Sequence, residues 1–107
     1  MTFEEYQNKA KETAIYKHFK LLYPIVGLAG EVGEFCNKFG KIMRDDEGVI
    51  SPEQKDDLIK ELGDVLWFVS QVATDLDVEL EEVVRTNVRK LEKRKRNNTI
   101  RGTGDYR

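Results

Sequence analysis

Two long amphipathic segments, separated by one short break, constrain the fold of this chain more than any other feature. Apolar residues recur at intervals of three and four from Ile25 to Met43, and again from Leu58 to Leu76. That spacing is typical of helices with one buried face. The break, residues 45–52, contains a glycine and a proline and is short. The pattern therefore predicts two long helices that pack as antiparallel neighbours.

Two shorter helices are predicted on either side of this pair. Thr2 and Glu5 have the spacing of a capping box, which opens the first helix. Asp77 is the predicted N-cap of the last helix. No segment shows the alternation of a strand. Residues 97–107 have no apolar period and contain two glycines, which predicts a loop or flexible tail.

Together these elements predict an all-α, four-helix-bundle-like domain that spans residues 1–107. Four glycines in the second helix favour a close neighbour on that side, because glycine destabilises a helix interior. A chain of 107 residues buries a modest core, so association would hide further apolar surface. We therefore expect an oligomer.

Two pairs of acidic residues stand at mirror-related positions about the break. Glu31 and Glu34 precede it by the same distances at which Asp64 and Glu61 follow it. Within each pair the spacing is i,i+3, so both members lie on one face of a helix. In antiparallel helices Glu34 comes level with Glu61, and Glu31 with Asp64. Four carboxylates then gather at one height of the bundle.

Such a cluster is costly unless a cation neutralises it. Carboxylate ligands without Cys or His favour Mg²⁺, with Mn²⁺ as a substitute, over Zn²⁺. Protein-bound Mg²⁺ often completes its shell with water and substrate phosphates. The alternative is that each pair lies on an ordinary solvated helix face, and the acidic residues alone leave both interpretations open.

The net charge of −2 conceals an acidic body and a basic C-terminal region. Residues 1–84 hold 9 Lys and Arg against 18 Asp and Glu, whereas residues 85–107 hold 9 against 2. Asn87, Lys90 and Arg94 form one polar stripe on the predicted last helix. This stripe either binds phosphates or faces solvent, and a basic end also fits a nucleic-acid-binding module.

Lys38 falls between Glu31 and Glu34 in angle on the second helix. It is therefore a candidate phosphate ligand or a simple ion-pair partner of Glu34. Cys36 lies on the apolar face of the same helix, and we expect a buried thiol in a reducing compartment. The chain has no signal-peptide core and no run of about 18 apolar residues, so we expect a cytoplasmic protein without a membrane partner.

Three strings resemble the MazG-like all-α nucleoside triphosphate pyrophosphohydrolases. They are GLAGEVGEF at 27–35, KELGDVLWFVS at 60–70 and NVRKLEKR at 87–94. This superfamily is marked by E-x-x-E, then E-x-x-D, then N-x-x-K-x-x-x-R. The tail RGTGDYR also resembles the ending of short single-domain members. The resemblance covers most of the chain, and its strength lies in the ordered set.

The resemblance implies Mg²⁺-dependent hydrolysis of a nucleoside triphosphate between its α and β phosphates, giving a monophosphate and pyrophosphate. It also implies a homodimer or homotetramer. The implied metal ligands, one of which would serve as base, are Glu31, Glu34, Glu61 and Asp64. Contacts to phosphates or to metal-bound water would come from Asn87, Lys90 and Arg94, with Lys38 as a possible further cation.

The candidates for binding the base are His18, Phe19 and Trp67. Relatives place aromatic or imidazole groups near the first two, although each also fits an ordinary core or surface position. Trp67 points away from the apolar seam of its helix and would be exposed in a lone bundle. A dimer interface is its first interpretation, and stacking on the base is its second.

Two other functions remain open from the sequence. A phosphoribosyl-ATP pyrophosphohydrolase-like enzyme would share the acidic motifs and change the substrate. A non-catalytic helical module would bind nucleic acid through the basic C-terminal region. The acidic overall balance and the lack of aromatic residues between the basic ones argue against this last function.

Overall fold

The computed structural model describes residues 1–107 and contains four α-helices and no strand, which confirms the predicted all-α class. The helices are α1 (Phe3–Glu12), α2 (Leu22–Asp46), α3 (Pro52–Asp75) and α4 (Leu80–Arg96). No helix combines the length and the apolar character that a membrane span requires. Residues 97–107 form turns and bends without regular secondary structure, as predicted.

Local capping sets the start of α1 and of α3. The Ser51 hydroxyl accepts a hydrogen bond from the Gln54 backbone N–H at 3.1 Å, and the Gln54 side chain accepts one from the Ser51 N–H at 2.9 Å. The Thr2 hydroxyl accepts from the Glu5 N–H at 3.1 Å. These bonds satisfy N–H groups that the first turn of a helix leaves without a partner.

The start of α4 depends on a distant residue, and the prediction that Asp77 caps this helix is wrong. Asp77 has a φ of 60°, and α4 begins only at Leu80, without a side-chain bond from the residue before it. Instead Gln7 of α1 accepts a hydrogen bond from the Leu80 N–H at 2.8 Å and donates one to the Val78 carbonyl at 3.0 Å. A buried side chain of α1 therefore replaces the local cap.

The helices do not close around a single core. The long helix α2 packs against α3 alone, whereas α3 also contacts α1 and α4, and α1 contacts α4. The radius of gyration is 16.7 Å, compared with about 13 Å for a compact domain of this length. The single chain is therefore more open than the predicted bundle.

Much of the apolar surface that the sequence assigns to a core is consequently exposed in the single chain. Ile59, Leu62 and Leu66 of α3 all belong to the predicted apolar face, and about half of the Leu62 residue, 51%, is exposed. Only 10 of the 107 residues are buried. Because these apolar side chains stay largely exposed in the single chain, the apolar period alone overestimates the core.

The same holds for the outer face of α2. A Cβ atom placed on Gly30, Gly33 or Gly40 would meet nothing within 4 Å. Cys36 is exposed as well, so the expectation of a buried thiol is wrong for the single chain. The close neighbour that these glycines led us to expect is absent from the protomer.

Candidate active site

Three carboxylates from α2 and α3 converge in the groove between the two helices. One carboxylate oxygen each from Glu31, Glu61 and Asp64 lies within 4.8 Å of the other two. Glu31 and Glu61 are partly buried, and Asp64 is exposed. We call these three residues the acid cluster. Its geometry follows from the sequence, because the i,i+3 pair on α3 presents both of its acids toward the same point on α2.

The acid cluster has an excess of negative charge. The pKa of Glu31 is raised, first by burial and then by the negative charges of Asp64, Glu61 and Glu34. Burial and like charge both disfavour an ionised carboxylate. A cation placed among these oxygens would relieve the repulsion.

The fourth predicted acid, Glu34, is exposed and does not join the three carboxylates.

Lys38 also differs from one expectation, since it does not pair with Glu34. Its Nζ lies 2.8 Å from Oε1 of Glu61 on the facing helix. The hydrogen bond to Glu61 raises the pKa of Lys38, while partial desolvation acts in the opposite direction. Lys38 is thus a cation attached directly to the acid cluster.

A close contact between the two helices lies one turn away from the acid cluster. A Cβ atom on Gly27 would lie 2.2 Å from Cε1 of Phe68, so the aromatic ring occupies the space that a side chain would need. Gly27 is one turn before Glu31, and Phe68 is one turn after Asp64. This contact therefore helps to set the distance across which the carboxylates meet.

Aromatic rings extend from the same contact and form what we call the aromatic row. Ring centroids are 4.7 Å apart for Tyr16 and Tyr23, 6.1 Å for Tyr23 and Phe68, and 4.9 Å for Phe68 and Trp67. The Tyr16 hydroxyl donates to Asp75 at 2.9 Å. Burial, reinforced by that hydrogen bond, raises the pKa of Tyr16 to about 12, so the hydroxyl stays protonated.

The predicted base-binding residues include neither Tyr16 nor Tyr23. The structure leaves Tyr23 47% exposed. No local pattern reveals Tyr16 as its neighbour, because Tyr16 lies in the irregular segment between α1 and α2. Sequence position alone therefore does not place Tyr16 in the aromatic row.

The three residues predicted to bind the base occupy different environments. His18 is exposed, and Phe19 is 72% exposed with a left-handed backbone at φ 58°. Trp67 is only partly exposed, and its Nε1 donates to the Thr13 hydroxyl at 2.8 Å. The expectation that Trp67 would be exposed in a lone chain is therefore wrong, because the end of α1 covers it.

The polar stripe of α4 is not joined to the acid cluster within the chain. Asn87 is exposed, and Lys90 and Arg94 form their hydrogen bonds with the C-terminal tail. Asp105 lies 3.2 Å from each of the two cationic groups. Because α4 packs on α1 and α3 and not on α2, the predicted phosphate ligands of α4 lie apart from the α2 side of the groove.

Comparison with known proteins identifies the class of this chain. The model of the MazG nucleotide pyrophosphohydrolase domain matches residues 21–99, which include all four helical motif acids and the stripe of α4. The chain belongs to this family, as its resemblance indicated. The "Gene 37 protein" of Mycobacterium phage L5 is similar over the full length of both chains, with 46% identity over 114 aligned residues. No solved structure matches the chain.

Proposed function

We propose that this chain is a Mg²⁺-dependent nucleoside triphosphate pyrophosphohydrolase, which cleaves its substrate between the α and β phosphates to a nucleoside monophosphate and pyrophosphate. Membership of the MazG family supports the class of reaction. The observation that carries the proposal is the acid cluster, three carboxylates from two helices within 4.8 Å of one another. Such a site suits a substrate that arrives with a divalent cation.

The donors of the acid cluster fit a hard cation. All are carboxylate oxygens, which favours Mg²⁺, with Mn²⁺ as a substitute, over Zn²⁺. Glu31, Glu61 and Asp64 would hold the ion, and the exposed Glu34 is the proposed fourth ligand. When bound, such an ion neutralises charge on phosphate oxygens and lowers the pKa of a bound water.

The residues of the chain have separate roles in the proposed reaction. One of the four acids is also the proposed base, because a carboxylate beside the attacking water can accept its proton. It takes a proton from the attacking water. The water oxygen then bonds to the α phosphorus, and the bond between this phosphorus and the oxygen that bridges to the β phosphate breaks. Pyrophosphate leaves with the bonding electrons.

Phosphate binding is assigned to Lys38 and to the stripe of Asn87, Lys90 and Arg94. Lys38 is the best supported of the four, because it already contacts Glu61 at 2.8 Å. The stripe would complete a site in a homodimer or homotetramer. Association is supported by the face of α2 that carries Gly30, Gly33 and Gly40 and meets nothing in the protomer.

An antiparallel central pair is part of the same proposal. It is supported by the contacts of Gly27 with Phe68, of Lys38 with Glu61 and of Asp46 with Gln54, since the α2 number rises as the α3 number falls. The aromatic row is the proposed surface for the base. Its members Tyr23 and Trp67 would contact the base, and His18 and Phe19 would lie at the exposed margin of the row. Bases stack on aromatic rings irrespective of their identity.

The test is an assay of purified protein with Mg²⁺ against all common ribo- and deoxyribonucleoside triphosphates, with separation of mono-, di- and inorganic phosphates. We expect pyrophosphate and a monophosphate from at least one nucleotide, and loss of both products in Asp64→Asn. Asp56→Asn is the matched control, because it makes the same change at an exposed position of the same helix. Equal, background-level release by all three proteins would refute the proposal.

The two alternatives are tested in parallel. Phosphoribosyl-ATP is added to the substrate panel, where preferential hydrolysis would assign the chain to that activity. Nucleic-acid binding is measured by a mobility shift of labelled DNA and RNA at physiological salt. No observation favours this last function, since Asp105 already pairs with two of the basic residues of α4.

A further inference from the structure

The C-terminal tail, residues 97–107, has a defined shape although it has no regular secondary structure. Its last residue closes it: the Arg107 guanidinium donates to the carbonyls of Thr99 at 3.0 Å and Ile100 at 3.1 Å, and also to that of Gly104. Gly102 and Gly104 have φ values of 136° and 84°, which side chains other than hydrogen rarely allow. The tail is therefore a closed turn held by its own terminal arginine.

This turn presents one carboxylate to two cations of α4. Oδ1 of Asp105 accepts hydrogen bonds from Nζ of Lys90 and from a terminal nitrogen of Arg94, each at 3.2 Å. The same nitrogen of Arg94 also donates to the Gly104 carbonyl at 3.2 Å. The Arg94 side chain is only 8% exposed, whereas that of Asp105 is 74% exposed. The tail thus covers the arginine and lies at the surface itself.

We propose that the tail is a displaceable anionic strap, in which Asp105 occupies the Lys90–Arg94 pair until a phosphate group of the substrate replaces it. A carboxylate and a phosphate are alternative acceptors for the same charged donors. An incoming phosphate reaches the Arg94 guanidinium only after Gly104 and Asp105 move away. This inference rests on the proposed function for the identity of the anion, a nucleotide polyphosphate.

The charges favour such an exchange. Two cations face one carboxylate, so the pair still attracts an anion when the strap is in place. A polyphosphate carries several negative charges and replaces the carboxylate without loss of charge pairing. Hydrogen bonding by Lys90, followed by the charge of Lys90 and the bond from Arg94, lowers the pKa of Asp105. The strap is therefore ionised at neutral pH and competes as an anion.

The first test measures calorimetrically how tightly inorganic tripolyphosphate binds to the full chain without divalent metal. Asp105→Asn should bind about threefold to tenfold more tightly than wild type, since it removes two ion pairs that share one exposed carboxylate, and such a pair contributes little individually. Asp105→Glu keeps the charge and should remain near wild type. Glu82→Gln is the matched control, because it removes an exposed carboxylate that pairs with Arg89 on the same helix.

An Asp105→Asn affinity no tighter than that of Glu82→Gln would overturn the proposal, as would an absence of tripolyphosphate binding in every variant. The second test is hydrogen exchange of residues 99–106 in wild type. Faster exchange on addition of tripolyphosphate supports displacement. Slower exchange would show that the tail closes over the anion, and would overturn the strap.

Neither measurement depends on catalysis, so the two proposals fail separately. If no nucleotide is hydrolysed but Asp105→Asn still binds tripolyphosphate more tightly than Glu82→Gln does, the strap stands and the proposed reaction is wrong. If nucleotides are hydrolysed but wild type, Asp105→Asn and Glu82→Gln bind tripolyphosphate equally tightly, the reaction stands and the strap is wrong.

Discussion

The acid cluster of α2 and α3 and the basic end of α4 differ in how far the chain itself neutralises their charges. In the acid cluster, burial and then like charges raise the pKa of Glu31, and one cation, Lys38, pairs with Glu61. At the end of α4, Asp105 pairs with both Lys90 and Arg94 and has a lowered pKa. The acid cluster has too few cations to neutralise its carboxylates, whereas the basic end of α4 receives a carboxylate from the C-terminal tail. A region of the first kind gains from a ligand, whereas one of the second kind must give up a contact to bind one.

The comparison bears directly on function. Unneutralised carboxylates near one another are expensive to fold, and proteins retain them where a cation is bound. A satisfied ion pair at a surface contributes little stability and is easily exchanged. The acid cluster is therefore the proposed metal centre, and the basic end is the proposed site of exchange between tail and substrate.

The largest effect is expected from the acid cluster itself. Glu61→Gln should lower pyrophosphate release at least about 100-fold, because even outer-shell partners of a metal cost up to that factor. Glu34→Gln should cost about tenfold, the lower end of the same range, because Glu34 lies outside the three converging carboxylates. Steady-state rates with saturating Mg²⁺ measure both. Equal losses would show that the four acids act as one set.

Metal binding should also appear as stability, independently of turnover. At a Mg²⁺ concentration 100 times its dissociation constant, the free energy of unfolding should rise by about 2.7 kcal/mol. Urea unfolding with and without the ion measures this gain. It should disappear in Asp64→Asn and persist in Asp56→Asn. A gain of the same size in both variants would place the ion elsewhere.

The contact that sets the width of the groove should be sensitive to a single methyl group. Gly27→Ala forces a Cβ atom into the Phe68 ring, and overpacking of this kind costs about 1–3 kcal/mol of unfolding free energy. A Cβ atom on Gly30 meets nothing within 4 Å in the single chain, where helix propensity alone would stabilise α2 by up to about 1 kcal/mol. At the proposed interface, the added methyl group of Gly30→Ala should instead destabilise the protein.

Urea unfolding and light scattering of the two alanine variants extend the comparison to association. If Gly30→Ala destabilises the protein and lowers its mass in solution, a second chain approaches this face of α2. If it stabilises the chain and leaves the mass unchanged, that face is open to solvent and the proposed interface lies elsewhere.

The smallest effect concerns the pH dependence of the basic end. Because the native pKa of Asp105 is lowered, its pairing stabilises the fold above the ordinary aspartate value of about 3.9 and is lost as the pH falls through the lowered native value. The urea midpoints of wild type and Asp105→Asn should therefore differ slightly at neutral pH and converge in acid. A difference that persists below the native pKa would have another origin.

Local rules accounted for much of the fold. The Thr2 hydroxyl caps α1 where the spacing of Thr2 and Glu5 predicts it, although only this half of the predicted capping box forms. Ser51 and Gln54, which have the same spacing, form a complete capping box. The apolar period located all four helices. These features depend on backbone groups only a few residues apart, so a short stretch of sequence contains all the information they need.

The same local rules did not predict the contacts between helices. Lys38 pairs with Glu61 across the groove although Glu34 is its neighbour on the helix, because the facing carboxylate is closer and less exposed. Gln7 caps α4 from the far end of the chain, which no local pattern indicates. The predicted burial is wrong for Leu62 and Cys36, which are both exposed in the single chain.

The sequence by itself determined the helices and placed each pair of acids on one face of its helix, because periodicity and capping act within single turns of the chain. Only the tertiary structure decided that three carboxylates converge while Glu34 stays outside. It also decided that the tail, predicted merely to be a loop, places Asp105 on Lys90 and Arg94. The physical reason is that charge pairing depends on distances between elements, which local spacing does not specify.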